Sequence, residues 1–508
     1  MKLRRIIAVL LVCVMCMPLL ASCNNDPVVV QKPGGQTGNQ DNSGDFVNAD
    51  YQGEDFTFLV IEQQSTSGRD YYGGAYIDAE GFTGNKINDG VHTRNLAVEE
   101  KYKVNINQVK ELNGDPAVVL QQKIMAGEFT YDVIYGWGYK MGACITENYF
   151  SDFYKLDNAD FTKEYWSPSA ISDLEIEGKL YLSMNDISMN QINWSSLLFY
   201  NKTLAENRNI TTDFGSPYEM VDNGTWTYDK FLEMVKACSD DIDGDGKVTR
   251  NDVFGLLDGN GLGTGALQNC DVYYTKKNDD GSYALNIYSE KVLGIIDKVY
   301  DVYSNDKYVK DFQDIWDEPG SSADGFADQW EYARSFFATG HALFCAGTPE
   351  ITNEEAFRNM EDEYGILPFP KYDTNQEHYN ATIDRLASIF AIPSTVTRSD
   401  GVSTSGYERT GTILEYMAYM SNKELLPRYY DEVLTGQRVD TEEDIRMMDL
   451  IRSCVRYEFA DMVSLTSIAE TVEIMFEKPT TAASTYNRNE KKMINEIEDF
   501  YTEVILLD

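Results

Sequence analysis

Between residues 55 and 136 the apolar positions change period repeatedly. Phe56, Phe58, Leu59, Val60 and Ile61 form a short β-prone run after a charged turn. From about Asn85 to Lys103, Ile87, Val91, Ala97 and Val98 recur at roughly helical spacing. Residues 104–107 alternate as a half-buried strand. Pro116 then opens a helix carrying Val119, Leu120, Ile124 and Met125, which Gly127 ends. Residues 131–135 read as the next strand, stopped at Gly136. This order predicts β-α-β-α-β with short connections, hence an α/β fold with a parallel sheet covered by helices. Ligands of such sheets sit beyond the carboxyl ends of the strands, which points to the loops 62–72 and 136–139. Near the other end, Ile445, Met448, Ile451 and Val455 share one helical face, with Thr441 as the expected N-cap.

The amino terminus follows a different logic. Lys2, Arg4 and Arg5 precede an apolar run from 6 to 20, broken only by Pro18. That run is shorter than the roughly 20 residues a bilayer-spanning helix needs, so it reads as the core of a secretory signal. It closes with Leu20-Ala21-Ser22-Cys23, which resembles a bacterial lipobox. The resemblance implies a signal peptide over 1–22 and a diacylglycerol thioether on Cys23. Cleavage there removes three basic and no acidic residues, taking the net charge from −40 to −43. Residues 23–50, rich in Gly, Asn, Gln and Asp, read as the lipidated cysteine and a flexible tether. With 83 acidic against 43 basic residues, the chain has no basic field for nucleic acid or for an anionic membrane surface. Its membrane contact is therefore expected through the lipid alone, at the outer face of the cytoplasmic membrane. The cysteines Cys144, Cys238, Cys270, Cys345 and Cys454 are far apart and odd in number. No disulfide framework is indicated, although one pair is compatible with the spacing.

One motif carries sharp chemistry. Residues 241–252, DIDGDGKVTRND, place Asp241, Asp243 and Asp245 at positions 1, 3 and 5 of a calcium loop. Gly246 permits the turn, Lys247 offers its carbonyl, Val248 is the apolar anchor, Thr249 acts through water and Asp252 closes the loop. Asp replaces the usual bidentate Glu at the last position, as in dockerin-type loops. A helix over 228–238 precedes the loop. The glycines at 255, 259, 261, 263 and 265 are too frequent for an exit helix, so the site is expected to be a structural clip for extracellular Ca2+ rather than a sensor. The run 261–266 brushes the dinucleotide fingerprint, but with no clear strand feeding it a flexible loop is expected. The three histidines, His92, His341 and His378, show no zinc spacing, and neither a nucleophile elbow nor a P-loop is present. Any glycosidase-like carboxylate pair is lost among so many acids.

Several segments in order resemble extracellular solute-binding proteins of ABC importers, of the family 1-like carbohydrate type. They are KIMAGEFTYDVIYG, GKLYLSMND, LLFYNKTLAENRNI, TWTYDKFLEMVKACSDDIDGDGK, FATGHALFCAG, EYGILPFPKYD and IFAIPST, spanning about residues 55–400. The resemblance implies a two-lobed, periplasmic-binding-protein-like fold of type II with hinge strands between the lobes. The N-lobe would be 51–182 plus 348–396, and the C-lobe 183–347 plus 397–508 with extra C-terminal helices. It also implies a small-molecule solute, permease subunits as partners, a monomer and no enzymatic activity. Aromatic residues make up 12% of the chain, and sugar rings stack on aromatic faces while carboxylates, amides and Arg bind their hydroxyls. A carbohydrate is therefore the expected solute. Trp137 falls in the loop after the third strand, Asp186 and Trp194 in the first crossing, Trp330 before the second, Thr348 and Glu350 just after it, and Arg385 at the entry to the last N-lobe strand. These are the expected ligand contacts. A secreted polysaccharide-active hydrolase and a non-transporting sensor or adhesion lipoprotein remain the competing readings.

Overall fold

The computed structural model of the chain describes residues 46–507 apart from 63–74, 113, 128–130, 248, 260–261, 280, 319–325, 327, 397–405 and 436–441. The signal, Cys23, the tether up to residue 45, most of the loop 62–72, Val248 and Thr441 lie outside the described residues. Among the described residues no helix is long and apolar enough to cross a membrane.

The first sheet contains β1 (Glu54–Glu62), β2 (Val104–Leu112), β3 (Val133–Trp137) and β4 (Phe150–Ser151). β1 pairs in parallel with both β2 and β3, as helical β-α-β crossovers produce. The connecting helices start and stop on local chemistry. Asn85 accepts from the Asn88 N–H at 2.9 Å at the head of helix Lys86–Tyr102, and Lys103 leaves it in the left-handed region. Asp115 caps helix Pro116–Ala126, and Gly127 ends it at φ 73°. Phe56 and Phe58 to Ile61 are all buried, because β1 has neighbours on both edges. Gly136 does not stop the third strand. It lies inside it, where an added Cβ would press on Met141 and Ile61 at 3.2 and 3.5 Å.

The second sheet contains β5 (Leu197–Asn201), β6 (Phe254–Asp258), β7 (Val309–Asp311), β8 (Ala342–Gly347) and β9 (Tyr364–Leu367), in the order β9-β5-β8-β6-β7. β8, β6 and β7 are parallel, whereas β5 runs antiparallel to β8 and β9. The chain then returns to the first sheet as β10 (Ser388–Pro393), antiparallel to β3 and β4.

Two expected lobe boundaries are corrected. The segment 348–396 is divided between lobes, because Tyr364 to Leu367 pair with Asn201 to Leu198 in the second sheet and only β10 enters the first. The tail 397–508 is divided as well. Helices Gly406–Met420 and Leu426–Thr435 pack on helix Lys86–Tyr102 of the first lobe. Arg409 ties them down by pairing with Asp132 and with Glu54, the latter at 2.9 Å. Glu415 accepts from the hydroxyl of Tyr165 and from Trp166 Nε1. The next helix, Glu442–Ser453, is anchored to the second lobe by Asp444. This fully buried carboxylate accepts from Lys202 Nζ at 2.9 Å, the Tyr218 hydroxyl at 2.6 Å and the Ile366 N–H at 2.9 Å.

Three passages of chain meet between the lobes as a hydrogen-bonded ribbon. Ser196 N–H donates to Thr382 O and Asp384 N–H to Trp194 O, while Ala381 N–H donates to Cys454 O and Ile383 N–H to Arg456 O, at 2.9–3.2 Å. Arg94 braces the first passage from the side. It is completely buried, and its guanidinium donates to the carbonyls of Tyr76, Ile77 and Ile187 and to the side chains of Asn95 and Ser421. Burial lowers its pKa to about 9.

Removing one partner of a buried ion pair costs about 3–5 kcal/mol, against about 0–1 kcal/mol at the surface. Asp444→Ala is therefore expected to lower the unfolding free energy by about 3–5 kcal/mol in urea titrations. Arg446→Ala breaks the exposed pair with Asp222 and is expected to cost less than about 1 kcal/mol. Equal effects of the two would refute the anchoring role of Asp444.

Candidate functional site

A cavity of about 740 Å3 opens at the carboxyl ends of β6 and β7, where the second sheet meets the crossing ribbon. Asp258, the last residue of β6, lies in its floor together with Asp311 at the end of β7. Tyr274, Tyr303 and Phe476 supply aromatic surface, and Arg385 enters from the ribbon. The opposite wall is the segment after Arg456, with Ala460, Asp461, Ser464 and Leu465, continued by helix Thr466–Glu477.

That wall is held from both lobes. Phe459 stacks on Tyr283 with ring centroids 3.9 Å apart, fixing it to the second lobe. On the first-lobe side Ser464 Oγ donates to the carbonyl of Tyr139 at 2.8 Å. The approach is so close that only glycine fits at 138 and 142. A Cβ on Gly138 would lie 2.6 Å from Met462 Cε, and one on Gly142 would lie 1.7 Å from the Met462 carbonyl oxygen. The loop after β3 therefore meets the cavity wall directly. Trp137 stacks on Tyr139 at 6.4 Å, and the Arg385 guanidinium lies 5.0 Å from the Tyr139 ring. Tyr139 N–H also donates to the Arg385 carbonyl at 3.0 Å.

The expected contacts take different places. Arg385 lines the cavity, and Trp137 and Trp194 gather around the same ribbon, Trp194 through its carbonyl. Asp186 is engaged elsewhere: it accepts from Asn422 Nδ2 at 2.6 Å and pairs with Arg452 at 3.2 Å. Trp330 packs edge-on against Phe312 at 5.4 Å, under the Arg334 guanidinium. Thr348 precedes and Glu350 lies in the turn Pro349–Asn353 after β8, which packs toward helix Leu426–Thr435. None of these four lines the cavity. The residues missed are Asp258, Tyr274, Tyr303, Asp461 and Ser464. Asp258 carried a usable signal, since FGLLD followed by glycine is a strand end. The expectation that no strand feeds the glycine run was wrong: β6 feeds it, and helix Leu262–Asn269 follows.

Three acids around the cavity are shifted upward from their ordinary range. Burial raises the pKa of Glu458 and Asp461 raises it further, although the N–H groups of Tyr274 and Ala460 donate to it. Burial raises Asp461 too, with Arg385 opposing and Asp384 adding. Burial also raises Asp314, followed by the charge of Asp311.

In the loop 241–252 the structure brings carboxylate oxygens of Asp241, Asp243 and Asp252 within 4.8 Å of one another. Asp245 lies outside that group; it accepts from the Lys247 N–H at 2.8 Å, as Asp241 accepts from Gly244 and Gly246 and Asp243 from Asp245. Burial pushes the Asp252 carboxyl up, yet the N–H groups of Thr249 and Ile242 hold it below its ordinary pKa. Gly246 has φ 81°, and β6 begins two residues after Asp252.

No protein-family model matches the sequence, and no curated protein matches it. Solved structures do match in fold. A cyclo/maltodextrin-binding protein complexed with maltotetraose shares 16% identity at a TM-score of 0.53, covering 87% of this chain and 97% of that one. The galacto-N-biose/lacto-N-biose I-binding protein of the ABC transporter of Bifidobacterium longum, in complex with lacto-N-biose, shares 11% at a TM-score of 0.52, covering 89% and 98%. An ABC substrate-binding protein from Listeria monocytogenes in complex with cycloalternan shares 11% at 0.50, covering 89% and 98%. At these identities the likeness is one of fold: the chain has the two-lobed α/β architecture of these proteins.

A carboxyl whose folded pKa lies above its unfolded value contributes stability fully present below the ordinary range, near 4.5, and lost as pH rises toward neutral. Glu458→Gln removes that titration. The urea midpoint of the wild type is expected to fall relative to the variant between pH about 5 and pH about 8. A constant difference across that window would refute the raised pKa.

Proposed function

We propose that the chain is the substrate-binding component of an ABC importer for a saccharide. The observation that carries this reading is the cavity at the carboxyl ends of the second sheet, walled by aromatic rings and reached by Arg385 from the crossing ribbon. The fold likeness supports it, since the matched proteins were solved with maltotetraose, lacto-N-biose and cycloalternan. Sugar C–H faces pack on Tyr274, Tyr303 and Phe476, and hydroxyls are hydrogen-bonded by carboxylates. Trp137 and Tyr139 approach from the other lobe. A ligand touching both lobes favours the closed arrangement by its differential affinity, and the permease subunits recognise that state. In this reading Cys23 carries the lipid and the tether that leaves a monomeric body free to meet the permease ends before the expected residue 50, because Phe46 packs on Tyr416 and Tyr419 of helix Gly406–Met420.

This proposal extends to a structural Ca2+ in the loop 241–252, supported by the DxDxDG pattern and the convergence of Asp241, Asp243 and Asp252. Lys247 would contribute its carbonyl and Thr249 a water-mediated contact. Affinities of about 10⁻⁴–10⁻³ M suit an extracellular site.

Differential scanning fluorimetry with mono- and oligosaccharides, amino acids and peptides tests the first reading. A saccharide is expected to raise the melting temperature without being consumed, and small-angle scattering is expected to show compaction. Hits confined to peptides or amino acids, or turnover of a glycan, would overturn it. Millimolar calcium is expected to raise the melting temperature by about 1–3 °C. Asp243→Ala should abolish that shift and leave ligand specificity alone. Identical melting curves in calcium and in chelator would remove the metal.

A further inference from the structure

Eight of the eighteen residues lining the cavity are Asp or Glu, against 83 of 508 in the whole chain, and Arg385 is the single base. Asp258 is buried and Asp311 and Asp461 are half-buried, while Asp314, Glu470 and Glu473 are exposed around the mouth. This enrichment is not a reflection of overall acidity. The neighbouring cavity of about 550 Å3, on the far side of the wall formed by 273–275 and 456–459, carries four bases against two acids. Lys276, Lys277, Lys291 and Arg456 face Asp173 and Asp271 there.

From this arrangement we infer that the cavity selects an amine-bearing, cationic oligosaccharide, such as an oligomer of glucosamine, over neutral and uronate-bearing ones. The inference rests on the reading of the cavity as the saccharide site. A concave surface lined by one sign of charge focuses its field into the opening and concentrates the opposite charge there. The carboxylates are spread out: among the described residues only Asp241, Asp243 and Asp252 converge within metal-ligating reach, and they lie in the loop. A single chelated cation therefore does not match the cavity, whereas charges repeated along a saccharide do. Tyr274, Tyr303 and Phe476 offer faces that accept both sugar C–H groups and ammonium ions. The raised pKa values of Asp314 and Asp461 fit an acidic enclosure that gains from a bound cation.

Isothermal titration of the full chain with glucosamine tetramer, its fully N-acetylated counterpart, maltotetraose and tetragalacturonate decides the matter, at a mildly acidic pH that keeps the amines protonated. The free-amine tetramer is expected to bind at least about tenfold more tightly than the acetylated one at low salt, the advantage shrinking at high salt. Replacing both Glu470→Gln and Glu473→Gln, on the exposed face of their helix, is expected to weaken the free-amine tetramer by about threefold to tenfold more than it weakens the acetylated one. Equal or tighter binding of an acetylated, neutral or uronate tetramer would overturn the charge inference while keeping the saccharide reading. Absence of binding by any tetramer would overturn both.

Discussion

The molecule depends on one constraint: the chain passes between its two sheets more than once, and each passage must satisfy its buried backbone. The ribbon of 194–196, 381–384 and 454–456 solves this by pairing the passages with one another. Its consequences reach the cavity within a few residues. Arg385 follows the middle strand, Ala460, Asp461 and Ser464 follow the third, and Trp194 opens the first. A ribbon of a few hydrogen bonds is compliant in twist but fixes register, which is what a hinge beside a binding site requires.

The buried charges divide accordingly. Arg409 with Asp132 and Asp444 with Lys202 hold tail helices rigidly to one lobe each, leaving adjustment to the segment between them. Asp186 joins these structural groups through Arg452 and Asn422. Arg94 differs in having carbonyls, an amide and a hydroxyl as its hydrogen-bonding acceptors. Among the described residues it has no carboxylate at ion-pair distance, with only the charge of Asp78 favouring it, so its value lies in tying Ile77, Ile187 and Ser421 to one point. Around the cavity the acids have few compensating bases; burial raises the pKa of Asp314 and Asp461, and the charges of Asp311 and Asp384 add to it.

What could be read from the sequence was local. The β-α-β-α-β opening was legible because Asn85, Asp115, Pro116 and Gly127 mark helix ends whatever surrounds them. Arg385 was legible because it flanks a strand end, where ligands of open sheets gather; Trp137, chosen on the same ground, lies beside the ribbon and does not line the cavity. The segment 458–477 was not, since its role comes from where the ribbon delivers it, and no periodicity encodes that. Tyr364 to Leu367 failed for a related reason: a short apolar strand reads the same in either sheet, and only its pairing with β5 assigns it. At 255–265 the glycine count suppressed a helix that tertiary packing supports, with Ala266 and Leu267 fully buried.

The geometry of β6 also decides how a calcium ion and a saccharide would interact. The loop 241–252 leads into its amino end, and Asp258 lies at its carboxyl end. Five residues at about 3.3 Å per residue separate the two by roughly 15–20 Å. Asp252 and Asp258 are both buried, where salt screens little, so distance rather than ionic strength limits how far the ion's charge alters the cavity's field. Its effect would instead be mechanical, through the bridge between Asp240 and Val253 that starts the strand. Metal and ligand would therefore stabilise the second lobe from opposite ends of one strand, with additive contributions.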